Sequence, residues 1–253
     1  MFNPLDHPVL VLVLTLPTFW ISAIIGSSFR KGQQELEGEG HDDWNLLLGA
    51  SLTMLGLIIG FTFSMAVSRY DQRKNLEEEE ANAIGTEYVR AGLLPAPDAA
   101  RVQMLLKRYL SLRIRIYHPS AASETQEIDT QTAKLQSEMW SAVATHATAQ
   151  PTPVAALILS GMNDVLNSQG YTHAAWRNRI PTGAWILVVA ISIFCNLLVG
   201  YSARSRSIIL FLILPIGLSV ALFLIADIDA PRHGVIRVRP QNLESLAKSL
   251  QSQ

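Results

Sequence analysis

Charge is what this sequence is short of: only 16% of its 253 residues are Asp, Glu, Lys or Arg, against about a quarter in a soluble domain. The formal net charge is −1. No basic face is concentrated enough for phosphate neutralisation, so no nucleic-acid partner is expected. Cysteine is nearly absent too. Cys195 stands alone inside an apolar run, which rules out an intramolecular disulfide and a thiolate metal cluster. With no basic neighbour to activate its thiol, it reads as a small hydrophobe. The six histidines (His7, His41, His118, His146, His173 and His233) include no i, i+4 pair with a carboxylate, the spacing a helical zinc site needs. His173 reads as a packed or capping side chain. There is no phosphate-cradling glycine loop and no GxSxG serine. An enzyme is not expected, and neither is a cofactor or a bound metal.

The charge that exists is confined to residues 27–43, 69–134 and 227–248, with a few outliers. Between these blocks lie four uncharged runs, at 9–26, 44–68, 180–203 and 207–226. A bilayer core of ~30 Å is crossed by about 20 apolar helical residues, and each run is long enough. Trp20, Trp44, Tyr70, Trp185 and Tyr201 fall toward the run ends, where amphipathic rings favour the headgroup zone. The expectation is an all-α integral membrane protein with four transmembrane helices in two pairs, separated by a polar helical insert. Its parts are a first pair within 1–68, an insert at 69–179, a second pair within 180–226 and a tail at 227–253. The leading MFNPLDH contains Asp6 and no Lys or Arg, unlike the basic start of a signal peptide. The first run therefore reads as a retained helix, with cleavage as the alternative. Pro17 and Pro215 lie inside the first and fourth runs and are expected to kink them. No charged residue lies inside any run, which weighs against a proton-driven transporter.

Flanking basic residues set orientation. With a cytoplasmic N-terminus, the inner flanks carry Arg69, Arg73, Lys74, Arg177, Arg179, Arg232, Arg237 and Arg239. The outer loops carry Arg30, Lys31, Arg204 and Arg206, and the first of them also holds Glu35, Glu37, Glu39, Asp42 and Asp43. Both termini and the insert are thus expected in the cytoplasm.

The insert reads as helical throughout. The second membrane helix should continue past the bilayer until Pro95 and Pro97 stop it. Asp98 is placed to cap the next helix. There Val102, Leu105, Leu106, Tyr109, Leu112 and Ile116 form an apolar stripe, while Lys107, Arg108, Arg113 and Arg115 lie mainly off it. His118-Pro119 ends that helix. A further helix should cover roughly 124–148, and another should run from Val154 straight into the third span. Val235–Val238 is the one stretch with a strand pattern.

Two features invite a functional reading. The second span carries Gly56, Gly60, Ser64 and Ser68 at four-residue spacing, a small-residue track that lets helices approach closely. Thr53, Leu57 and Phe61 also follow i+4 spacing. If the small face packs away, these three from several subunits could ring an axis as a hydrophobic constriction. The run Glu77, Glu78, Glu79, Glu80 fans around a helix, so it reads as a solvated or arginine-paired face rather than a cation site. Asp227 and Asp229, at the inner end of the fourth span, need hydration or partners. A structural ionic cluster with Arg232, Arg237 and Arg239 is the preferred reading.

The stretch GFTFSMAVSRYDQRKNLEEEEANAIGTEYVRAGLLP (60–95) resembles the bacterial bestrophin-like membrane proteins, and WRNRIP (176–181) and LIADIDAPRHGVIRV (224–238) are similar to that family's later signatures. The wider resemblance is to bestrophins, pentameric anion-selective channels with four spans and a helical cytoplasmic domain. It implies a homo-oligomer, a pentamer by analogy, that passes small anions such as chloride along the second helix. It places Thr53, Leu57 and Phe61 at neck positions and Arg69 at the inner mouth, with Thr53 making a wetter neck. The acidic calcium clasp of the animal channels is not reproduced after the fourth span, so calcium gating is not implied. The competing reading is a non-conducting membrane scaffold or sensor that acts through its cytoplasmic helices.

Overall fold

The computed structural model describes residues 4–30, 39–118, 122–203, 208–232 and 234–252. Lys31, Glu35, Glu37, Pro119, Arg204, Arg206 and His233 lie outside the described residues. Among the described residues a 3-10 turn, Pro4–Asp6, precedes eight helices: α1 Pro8–Arg30, α2 Glu39–Ala91, α3 Ala96–Arg115, α4 Ala122–Ala149, α5 Pro153–Arg177, α6 Thr182–Ser202, α7 Ile208–Asp229 and α8 Gln241–Gln251. Among the described residues there is no strand. Four spans, within Pro8–Phe29, Leu46–Ala91, Pro153–Ser202 and Phe211–Asp229, are long and apolar enough to cross a membrane. The chain is an all-α integral membrane protein with four spanning helices and a helical insert.

It divides into two compact units, Met1–Tyr70 with Arg179–Arg237, and Asp71–Asn178 with Val238–Gln253. The tail is thus shared: residues up to Arg237 join the first unit and α8 joins the second.

In the first unit α1 packs against α6 and α7. Phe19, Val188, Cys195, Leu222, Ile225 and Ala226 are buried at its centre. The α1–α6 approach depends on glycine. A Cβ on Gly200 would run into the Ala23 carbonyl, and one on Gly26 into the Leu197 carbonyl. Bare backbone contact is what small residues supply where no hydrophobic effect drives helices together. Thr15 and Ser192, both buried here, bond back within their own helices, to the Val11 carbonyl at 2.8 Å and to the Val188 carbonyl at 2.7 Å. That settles donors that have no water to turn to. Helices α1 and α7 continue through Pro17 and Pro215.

The expected continuous helix from Val154 into the third span is interrupted. Helix α5 ends at Arg177, and α6 begins after Pro181 as its N-cap. Proline disfavours helical geometry in the residue before it and cannot donate to the ladder. Ile180, freed from any helix, donates its N–H to the Asp229 carboxylate at 3.2 Å.

In the second unit α3 packs on α4, α4 on α5, and α8 on α3. All six residues of the apolar stripe of α3 are buried. Asp98 does not cap α3. Pro95 holds the N-cap position without a side-chain bond, and the Asp98 carboxylate lies 3.2 Å from His146 Nδ1 on α4. Helix α5 is capped conventionally, with Thr152 Oγ1 accepting from Ala155 N at 3.1 Å. The strand pattern at 235–238 is overridden, because the backbone N–H groups of Val235 and Ile236 donate to the Asp227 carboxylate, each at 2.7 Å.

Candidate functional site

The membrane part of α2 is two-sided. Ser51, Leu55, Thr62 and Ala66 are buried against their own unit. On the opposite side Thr53, Leu57, Phe61, Ser64 and Ser68 are exposed. Leu57 is 57% and Phe61 71% exposed. The small-residue track does not pack inside the chain, since a Cβ built on Gly56 or Gly60 would meet nothing within 4 Å. The Thr53–Leu57–Phe61 line and the Gly56–Gly60–Ser64–Ser68 line are neighbours on a helix of 3.6 residues per turn. Together they form one open face. Thr53 Oγ1 donates to the Gly49 carbonyl at 2.8 Å, so its hydroxyl proton is committed to its own helix. Arg69 is half-buried at the end of this stretch.

At the end of α7 two carboxylates organise the backbone around them. Asp227 and Asp229 are both buried. Asp227 holds the turn at Val235 and Ile236, and Gly234 is required there because a Cβ would meet the Asp227 carbonyl. Asp229 accepts from Arg179 Nε at 3.3 Å and from Ile180 N. Arg179 also pairs with Asp6 and donates to the Leu5 carbonyl at 3.0 Å. It therefore ties the N-terminal turn, the start of α6 and the end of α7 together. Arg232 is half-buried, and its carbonyl lies 3.5 Å from Arg237 Nη1. Sequence reading missed the part played by Arg179, which stands 50 residues from Asp229; the Arg-x-Pro pattern before α6 was the only local hint.

The glutamate run separates by helical phase. Glu78 and Glu79 are exposed, whereas Glu77 and Glu80 are buried. Glu77 accepts from Asn242 N and Leu243 N, both at 3.0 Å, and from Asn242 Nδ2 at 2.7 Å. This places an anion on the first turn of α8, where free N–H groups and the helix dipole favour it. Lys107 Nζ holds the other end of α8 by donating to the Leu250 carbonyl at 2.7 Å. Arg113, which the sequence put off the apolar stripe, is buried and pairs with Glu80, whose other oxygen lies 3.0 Å from the Thr172 hydroxyl. Burial works against the Arg113 charge, and the adjacent Glu80 carboxylate more than offsets it. Burial also pushes the Tyr109 and Tyr117 phenols up, with Glu80 adding to the effect. Among the described residues no cluster of three metal-ligating side chains occurs.

A family model described as the bestrophin-like domain matches residues 14–243. No curated protein matches. Among solved structures, a bacterial bestrophin homologue from Klebsiella pneumoniae is 14% identical, over 96% of this chain and 97% of its own, with a TM-score of 0.65. A single-substitution variant of that homologue is 14% identical, over 97% and 98% of the two chains, with a TM-score of 0.66. At such identities the likeness is one of fold.

Proposed function

The chain belongs to the bestrophin-like family, and from that premise we propose that it forms a homo-oligomeric ion channel whose pore is lined by α2. Thr53, Leu57 and Phe61 form the constriction, Arg69 stands at its inner mouth, and small anions such as chloride are the permeant class. The assembly sits in a bacterial inner membrane with both termini and the polar helical unit in the cytoplasm.

The observation that carries this reading is the open face of α2. Large apolar side chains alternate there with glycine and serine, and the chain's own helices leave the face uncovered. A lipid-facing surface wants a broad apolar band. The Leu57–Phe61 line has glycine and serine along one side and the exposed Met54 and Met65 along the other, and its small side suits close approach of equivalent helices around an axis. Apolar rings of this kind control ion passage by dewetting.

Planar-bilayer recording of wild type and Phe61→Ala tests the proposal. Widening the constriction should raise conductance or leak. A silent wild type under any anion gradient, or a protein that purifies as a monomer, would overturn the channel reading and leave the scaffold in its place.

A further inference from the structure

Glu87 stands on α2 in the second unit, two turns beyond Glu80, and has none of that residue's partners. Its side chain is fully buried, and neither carboxyl oxygen has a hydrogen-bond partner. It is seated against α5 at a glycine. A Cβ on Gly161 would land on Glu87 Oε2 and crowd Arg90 Nη1. Two charged groups act on its ionisation. Arg90, on its own helix, draws the carboxyl toward ionisation without donating to either oxygen, and Asp164 on α5 opposes ionisation. From α3, Lys107 is engaged with the Leu250 carbonyl and lies 5.3 Å from the Tyr88 ring centroid. Asp98 of α3 is engaged with His146 of α4.

An ionised carboxylate in such a place has lost its water and gained no donor, which is strongly unfavourable. A neutral carboxylic acid fits the same space at far lower cost. Burial accordingly pushes the Glu87 carboxyl up from 4.5 to about 8.

We propose that Glu87 is a proton-operated latch between α2 and α5. Neutral, it lies flat against Gly161 and lets the two helices close. Ionised, it must recruit water, and the helices part at this point. The latch therefore loosens the second unit as pH rises through the neutral range, whatever that unit controls.

Hydrogen exchange on the full chain in detergent micelles, corrected for base-catalysed intrinsic exchange, reads this directly. Between about pH 6 and about pH 10, wild-type amides flanking Gly161 should lose protection by roughly tenfold or more, while Glu87→Gln stays closed throughout. Gly161→Ala puts a methyl group where the carboxyl rests and should show the loosened pattern already at the lower pH. Parallel pH profiles for wild type and Glu87→Gln would overturn the proposal. So would a Glu87→Gln protein that fails to fold at the lower pH, because a site that needs the charge is not a site for the neutral acid. Wild-type protection in Gly161→Ala would also overturn it.

Discussion

Replacing Arg113 by leucine removes one half of a deeply buried ion pair in the second unit and leaves the other half without compensation. Glu80 is 0% and Arg113 2% exposed, so the remaining carboxylate would have no route to water without local opening. Breaking a buried pair from one side costs about 3–5 kcal/mol, most of it the uncompensated charge. The Thr172 hydroxyl, 3.0 Å from Glu80, is a donor already in place and keeps the loss toward the lower end. Glu80→Leu strands the guanidinium and should cost a similar amount. The double variant carries no stranded charge, so it should recover most of the loss, giving a coupling energy of about 3 kcal/mol. Thr172→Val, which deletes one hydrogen bond to a charged acceptor, should cost about 1.5–3 kcal/mol. The measurement is denaturant unfolding of the full chain in micelles, followed by circular dichroism for wild type and the four variants. A cost below about 1 kcal/mol for Arg113→Leu, the scale of an exposed pair, would refute the reasoning. So would a double variant that costs the sum of the two singles.

Three further outcomes follow from the geometry. Glu77→Ala strips the anion from the first turn of α8, a capping loss of about 1–2 kcal/mol that should make residues 241–251 a preferred site of limited proteolysis; cleavage at the wild-type rate would contradict it. Gly200→Ala drives a methyl group at the Ala23 carbonyl and should destabilise the α1–α6 packing by about 1–3 kcal/mol. Gly183→Ala, with open space at the same atom, serves as the control, and equal melting temperatures for the two would count against the contact. The raised Glu87 carboxyl means that between pH 4.5 and about 8 the folded chain holds a proton the unfolded chain has released. Stability should therefore fall as pH rises through that window, by up to about 5 kcal/mol. Glu87→Gln should lack this slope, as pH-dependent denaturation midpoints would show.

The α2 face was legible in the sequence because helical phase alone decides which residues share a side. Thr53, Leu57 and Phe61 line up by spacing, and the exposed side contains them. The glutamate run shows where that logic stops. Phase separates Glu77 and Glu80 from Glu78 and Glu79, but it does not say that one buried carboxylate would meet α8 and the other Arg113. The position of Arg113 was misjudged for a related reason. A stripe drawn from apolar residues assigns arginine to the solvent side, whereas a glutamate 33 residues earlier provides the partner that lets it turn inward. Asp98 looked like a cap, yet the proline before α3 occupies that position and His146 takes the carboxylate.

By itself, then, the sequence determined what depends on short stretches: four spans, from the length and apolarity of their runs; helix ends, from proline; and a membrane setting, from the shortage of charge. These properties are local and additive along the chain. The pairings of Arg179 with Asp229, Glu80 with Arg113 and Glu77 with the start of α8 were decided by tertiary structure alone. They join residues 33 to 166 positions apart. A charge enters a low-dielectric interior only when the fold brings a partner to it, and no spacing rule in the sequence specifies that meeting.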